Sequence, residues 1–245
     1  MTEKYSDPRF LAVEENYKYI TERIAQAAVR SCRNPEDITF LAATKTVPAE
    51  VINHAIRCGL RYVGENRVQE YLSKYESIDW ASGVQGQIIG RLQTNKVKYI
   101  VDKVSCIQSV DSVKLAKEIS RQAEKNGRRM PVLVEVNIGA EENKGGIAPD
   151  GLEDFLQEIA GLPGIRIDGL MTIPPICEDN TELCNYFSRM QQYFIDIQTK
   201  KLDNVSMNCL SMGMSSDYEE AILCGATMVR IGSSLFGARI YPQNK

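Results

Sequence analysis

Two segments at opposite ends of the chain carry residue types that could do chemistry together. Phe40-Leu41-Ala42-Ala43-Thr44-Lys45 puts a lysine at the end of an apolar strand. Far downstream, Ser211-Met212-Gly213-Met214-Ser215-Ser216-Asp217 and then Met228-Val229-Arg230-Ile231-Gly232-Ser233 supply small residues, backbone N–H groups and one arginine. A lysine desolvated at a strand end is a nucleophile toward carbonyl compounds. Amide-rich turns and an arginine are what an anionic aromatic cofactor needs if that lysine holds it as a Schiff base. If the fold brings the two ends together, they describe one site.

Each feature also has a plainer reading. Lys45 could be a surface lysine where strand becomes loop. Ser216 and Glu219 have the spacing of a capping box, which would fix a helix start and leave free N–H groups beside residues 211–214; a plain cap explains that segment equally well. Gly232-Ser233-Ser234 offers a second set of amides. Arg230 lies among Met228, Val229 and Ile231, so its side chain needs an acceptor inside the fold, either a ring nitrogen or a structural carboxylate. His54, mid-helix among Ile52, Ala55 and Ile56, reads as structural. The polar run at residues 139–146 reads as a flexible loop rather than a catalytic box.

Composition excludes several function classes. Net charge is −3, charged residues make up 25% and apolar residues 43%, and basic residues are dispersed, so no nucleic-acid or membrane surface is expected. The polar N-terminal octapeptide is no signal peptide, and no stretch approaches the ~20 apolar residues of a membrane span, which points to the cytoplasm. Seven cysteines without a Cys-x-x-Cys pair, beside a single histidine, argue against zinc or a disulfide framework. Most of the cysteines are expected to be small, mainly buried residues, and no metal is expected.

The elements that must position these groups follow from apolar spacing. Residues 10, 13, 17, 20, 24 and 27 mark a long amphipathic helix over 8–32. Eight strand-then-helix units follow, with strands at 38–44, 62–64, 87–90, 106–110, 131–138, 165–173, 208–212 and 228–232. Helices are expected at 48–59, 67–74, 92–101, up to 126, 150–160, 181–201 and 216–224, with a last turn at 234–236. The fold class is therefore α/β, a (β/α)₈ TIM barrel with an extra N-terminal helix, forming one domain over residues 1–245; an open doubly wound sheet is the competing arrangement. In a barrel, functional groups gather at the C-terminal strand ends, where Lys45, Asn66, Gly90, Asn137, Met171, Ser211 and Arg230 fall.

These residues resemble a known family. Ala43-Thr44-Lys45-Thr46, Gly64-Glu65-Asn66, Ile89-Gly90-Arg91-Leu92-Gln93-Thr94-Asn95-Lys96, Gly169-Leu170-Met171-Thr172-Ile173, Leu210-Ser211-Met212-Gly213-Met214-Ser215 and Val229-Arg230-Ile231-Gly232 through Phe236-Gly237 look like the pyridoxal phosphate homeostasis proteins. That family is similar to the N-terminal barrel of bacterial alanine racemases, and the resemblance runs over nearly the whole chain. It implies pyridoxal 5′-phosphate as cofactor, a Schiff base on Lys45, and Asn66 near the ring. It further implies a phosphate cradle from Ser211, Met212, Gly213, Met214, Ser215, Gly232 and Ser233, with Arg230 facing the pyridine nitrogen. Gln87 departs from the pattern, since the family commonly has histidine there.

Binding is expected rather than catalysis. A racemase needs an acid or base on each face of the substrate carbon, and only eight residues follow Gly237 here, which leaves no room for the second domain that alanine racemases use. A ring nitrogen facing Arg230 is a weaker electron sink than a protonated one. The expectation is a monomer that holds the cofactor reversibly and passes it to apoenzymes that use it. A low-rate amino-acid racemase and a cofactor-free Schiff-base aldolase are the alternatives.

Overall fold

The computed structural model describes residues 7–141 and 143–237; residues 1–6, Glu142 and 238–245, which include most of the polar N-terminal segment and the C-terminal octapeptide discussed above, lie outside the described residues. Helix α1 (Pro8–Arg30) comes first. Its start is set by Asp7, whose side chain accepts the Arg9 N–H, and by Pro8 in the first turn. Eight parallel strands follow: β1 (Thr39–Ala43), β2 (Tyr62–Glu65), β3 (Gln85–Ile88), β4 (Cys106–Val110), β5 (Met130–Glu135), β6 (Ile165–Met171), β7 (Val205–Ser211) and β8 (Met228–Ile231). They close in chain order into one barrel, not an open sheet. The helices between and after them are α2 (Ala49–Arg57), α3 (Val68–Tyr75), α4 (Val113–Lys125), α5 (Leu152–Ala160), α6 (Asn180–Lys200), α7 (Tyr218–Leu223) and α8 (Ser233–Phe236).

Alternation along the strands sorts the side chains into two layers. Ala42, Val63, Ile88, Ile107, Val132, Ile167, Val229 and Ile231 belong to the large apolar layer under the helices. The interior is filled by two smaller clusters, Leu41, Ala43, Ile89 and Met228 on one side and Cys106, Leu133 and Met171 on the other. Gln87, Gln108, Ser211 and Arg230 are buried polar residues on strands β3, β4, β7 and β8.

Three local expectations need correction. The β3–β4 crossover, read as a helix over 92–101, is a 3₁₀ segment at Thr94–Tyr99. Its apolar anchors Val97 and Ile100 are three residues apart, and the Ile100 N–H bonds the Val97 carbonyl at 3.1 Å, so three residues per turn suits it. The Ser216–Glu219 capping box does not form. Glu219 is instead taken by the Arg23 guanidinium at 2.6 Å, and α7 starts only at Tyr218. Of the seven cysteines, all free, Cys106 alone is buried; Cys32 is exposed and the others are half-buried.

The other elements agree within a few residues. His54 is buried, stacked on Phe10 at 4.5 Å and bonded through Nε2 to Glu14 at 2.8 Å. Glu14, His54 and Cys58 are the types of group that hold metals, but Arg57 points its guanidinium at His54 Nδ1, which disfavours a cation there. Helix α6 buries Leu183, Phe187, Met190 and Ile197 on the barrel, and Phe187 is fully enclosed. Truncating Phe187→Ala leaves a cavity no neighbour can fill; urea unfolding is predicted to show a loss of about 3–5 kcal/mol. A loss under about 1 kcal/mol would mean that α6 is not packed as described.

Candidate functional site

Barrel closure places the two distant segments side by side. β1 pairs with β8, with Leu41 opposite Arg230 and Ala42 opposite Ile231. The chain therefore leaves β1 toward Lys45 next to where it leaves β8 toward Gly232. At this end of the barrel lies a cavity of about 440 Å³ lined by Lys45, Asn66, Gly90, Arg91, Glu135, residues 214–216, Arg230, Gly232 and Ser233, among others. A second cavity of about 520 Å³, under α1 and α8, also reaches Lys45, Gly232 and Ser233. The first has a size suited to a small cofactor, with convergent polar groups on its wall.

The loops after β7 and β8 interlock. Ser215 Oγ accepts the N–H groups of Gly232 at 3.1 Å and Ser234 at 3.3 Å, and Ser234 Oγ donates to the Ser215 carbonyl. The Met214 N–H goes to Asp217 Oδ1 at 2.6 Å, with Ser216 Oγ on the other carboxylate oxygen. The N–H groups of Ser215, Ser216 and Ser233 have no hydrogen-bond partner among the described residues. Two glycines permit the close packing. Gly213 has φ of +92°, and a Cβ there would sit 2.5 Å from that of Ala221; at Gly232 a Cβ would sit 3.0 Å from the Ala43 carbonyl oxygen.

Ser211 and Met212 do not line the cavity. Met212 is fully buried in the outer apolar layer. Ser211 faces the barrel interior, accepting from Arg230 Nη1 at 2.7 Å and donating to Gln108 Oε1 at 2.7 Å. Gln108 Nε2 in turn donates to Gln87 Oε1 at 2.6 Å. With Arg230 Nη2 on the Thr172 carbonyl at 2.8 Å, the acceptors of this arginine are a hydroxyl and a carbonyl, not a carboxylate. Burial lowers its pKa to about 10, against the opposing pull of Glu135 and Asp217, and it remains charged at neutral pH. Gln87 thus stands at the far end of a polar chain that orients Arg230.

Two charged residues of the cavity wall, Arg91 and Glu135, fall outside the set read from sequence. Glu135 did carry a signal, as a carboxylate closing the otherwise apolar strand β5. It and Asp111 lie under Gly145, whose Cβ position is 4.0 Å from Glu135 Oε2 and 3.3 Å from Asp111 Oδ2. The loop bearing Gly145 is tied back by Asn137, which bonds the Glu141 backbone at both its N–H and its carbonyl. Asn137 therefore serves the loop, and Met171 the interior packing, rather than the cavity wall. Burial pushes the Glu135 carboxyl up to about 6, with Asp111 adding to the rise and Arg230 and Arg91 opposing it.

A carboxyl whose folded pKa is raised weakens the fold once ionised. The penalty is absent where both states are protonated, grows as pH rises past the unfolded value, and is complete above the folded one. Glu135→Gln is therefore predicted to stabilise the protein by up to about 2 kcal/mol at pH 8 and to change little at pH 4. Urea denaturation at both values checks this; an equal gain at both, or a loss at pH 8, contradicts it.

Comparison with known proteins finds relatives along nearly the whole chain. The family model for the alanine racemase N-terminal domain matches residues 12–240. A pyridoxal phosphate homeostasis protein of Aquifex aeolicus is 45% identical over 227 residues, 93% of this chain and 98% of its own. A protein of Bifidobacterium adolescentis, described only as unknown, has a solved structure that is 35% identical, with a TM-score of 0.90 over 94% of this chain and 97% of its own. PipY of Synechococcus elongatus, solved with PLP bound, is 33% identical, with a TM-score of 0.78 over 89% of this chain and all of its own. By this similarity and its barrel, the chain belongs to the pyridoxal phosphate homeostasis protein family, within the wider group that shares the alanine racemase N-terminal domain.

Proposed function

We propose that this protein binds pyridoxal 5′-phosphate reversibly, anchored on Lys45, and buffers it in the cytoplasm as a single-domain monomer that supplies enzymes depending on it. One observation carries the reading: a lysine, three amides without partners among the described residues and a buried guanidinium line the same cavity. That set matches an aldehyde, a phosphate and a ring nitrogen, and the relative PipY has PLP bound. When bound, the cofactor supplies an aldehyde with which an amine condenses, with loss of water.

The chain's own residues have separable tasks. Lys45 provides the amine from the bend after β1. The N–H groups of Ser215, Ser216 and Ser233 are placed to donate to phosphate oxygens. Ser215 Oγ and Asp217 hold those loops in shape, and Gly213 and Gly232 let them approach. Arg230, fixed by Ser211 and the Thr172 carbonyl, presents its remaining edge to the cavity, and Asn66 borders the ring position. Ser211 acts through Arg230 in this reading, and Met212 serves as packing.

Holding is favoured over turnover because a fixed guanidinium does not protonate the ring nitrogen, which leaves the bound ring a weak electron sink. The curated relative from Aquifex aeolicus is named for homeostasis. Glu135 supports a second reading, an amino-acid racemase or related low-rate enzyme, since a carboxyl that titrates near 6 is suited to proton transfer.

Purified protein mixed with pyridoxal 5′-phosphate is expected to absorb in the visible and to lose that band on borohydride reduction, with the mass label on Lys45. Lys45→Ala is expected to lose the label and at least about a hundredfold in affinity. A label elsewhere, or none, overturns the reading. Hydrogen exchange at Cα of added amino acids, faster than with free cofactor and lost in Glu135→Gln, would favour the enzyme.

A further inference from the structure

The bend that carries Lys45 is held from behind by a charge cluster on β2 and α3. Lys74 Nζ donates to the Thr44 carbonyl at 2.8 Å, to Glu65 Oε1 at 2.7 Å and to Glu70 Oε1 at 2.9 Å, which uses all three of its protons. Glu65 Oε1 also accepts from Thr44 Oγ1 at 2.8 Å, and Glu70 Oε1 accepts the Thr46 N–H. The residues on both sides of Lys45 are thus tied to one ammonium group. Thr44 is tied directly and through Glu65, and Thr46 through Glu70.

This arrangement is costly and does more than close the barrel. The Thr44 N–H already continues the β1–β2 ladder by bonding the Gly64 carbonyl at 2.9 Å. Glu65 is 3% exposed, and its Oε2 has no partner among the described residues, beside a water-sized gap walled by Ile52, Tyr71, Ile78 and Trp80. Burial pushes the Glu65 carboxyl above the ordinary range although Lys74 and Thr44 pull it down. For Glu70, burial acts in the same sense, but Lys74 and the Thr46 N–H outweigh it and hold that carboxyl below the ordinary value. Thr46 itself has φ of +64°, a left-handed conformation that a β-branched residue avoids unless its surroundings impose it. The cluster supplies that imposition at the residue following Lys45.

We infer that Lys74 is a positioning residue for Lys45: bracing Thr44 and, through Glu70, Thr46, it sets the bend that aims the Lys45 amine into the cavity. The inference rests on the reading of Lys45 as the covalent anchor. Without the ammonium, Thr46 can relax to negative φ, and Lys45 then samples directions away from the cavity. Non-covalent contacts at the phosphate loops are left intact, so capture and docking come apart.

The test compares Lys74→Met, which keeps the aliphatic stem, with Lys74→Arg, which restores charge and donors. In cofactor-free protein, hydrogen exchange at the Thr46 amide is expected to quicken about tenfold in Lys74→Met, or about 1.4 kcal/mol, and to slow again in Lys74→Arg. The rate of borohydride-trappable capture of pyridoxal 5′-phosphate at Lys45 is expected to fall about tenfold, while affinity for pyridoxine 5′-phosphate, which has no aldehyde, stays within about twofold. Exchange and capture both within about twofold of wild type overturn the inference, as does an equal loss of pyridoxine 5′-phosphate affinity. If Lys74→Met does not fold, Glu70→Gln, which weakens the tie from Lys74 to Thr46 and leaves the Thr44 and Glu65 contacts of Lys74 in place, is read by the same criteria. Wild-type protein with no trappable bond at Lys45 would sink the cofactor reading, and the Thr46 exchange rate would still decide whether Lys74 braces the bend.

Discussion

The pairing of β1 with β8 is the contact on which the rest depends. An open sheet would leave Lys45 and Arg230 on strands far apart. Closure sets Leu41 against Arg230 and brings the loop after Ala43 against Gly232. It also encloses a space too small for water-filled disorder, so every polar group inside must find a partner. The chain Gln87, Gln108, Ser211, Arg230 and the Thr172 carbonyl meets that demand with groups from five strands or strand ends.

That solution separates two kinds of residue at the site. Arg230, Ser211, Gln108 and Gln87 belong to the rigid interior, where a shift in one is passed along hydrogen bonds of 2.6–2.7 Å to the next. Lys45 and residues 214–216 sit on loops above it and Ser233 opens α8, held by Ser215, Asp217 and the Lys74 cluster. Glu135 lies between the two, buried enough to titrate near 6 and close enough to Arg230 to be felt by it. Stability given up at a cavity wall in this way is a common mark of a functional site.

Much of this was legible in the sequence because barrels follow simple periodicities. Eight alternating units, a lysine ending an apolar strand and an arginine inside another were enough to expect Lys45 and Arg230 at one mouth of a barrel, and the closed sheet brings them to one cavity. The misread parts are those where local spacing competes with tertiary partners. Ser216 and Glu219 have capping-box spacing, but Arg23 on α1 offers Glu219 a guanidinium, which outcompetes an amide. Ser211, expected at the end of the seventh strand, was assigned by resemblance to the phosphate cradle. Strand alternation puts it on the inward face with Cys209, where Arg230 claims its hydroxyl. The bracing role of Lys74 had no local signal, since it depends on which loops and helices the closed barrel brings together.

The central claim is that Lys45, the loop amides and Arg230 hold one cofactor together, and a crystal structure of the protein soaked in pyridoxal 5′-phosphate tests it most directly. The account predicts continuous density from Lys45 Nζ to the cofactor, phosphate oxygens on the N–H groups of Ser215, Ser216 and Ser233, and the ring nitrogen toward Arg230. Density elsewhere on the barrel, or a cofactor in this cavity with Lys45 turned away and the amides uncontacted, would contradict it.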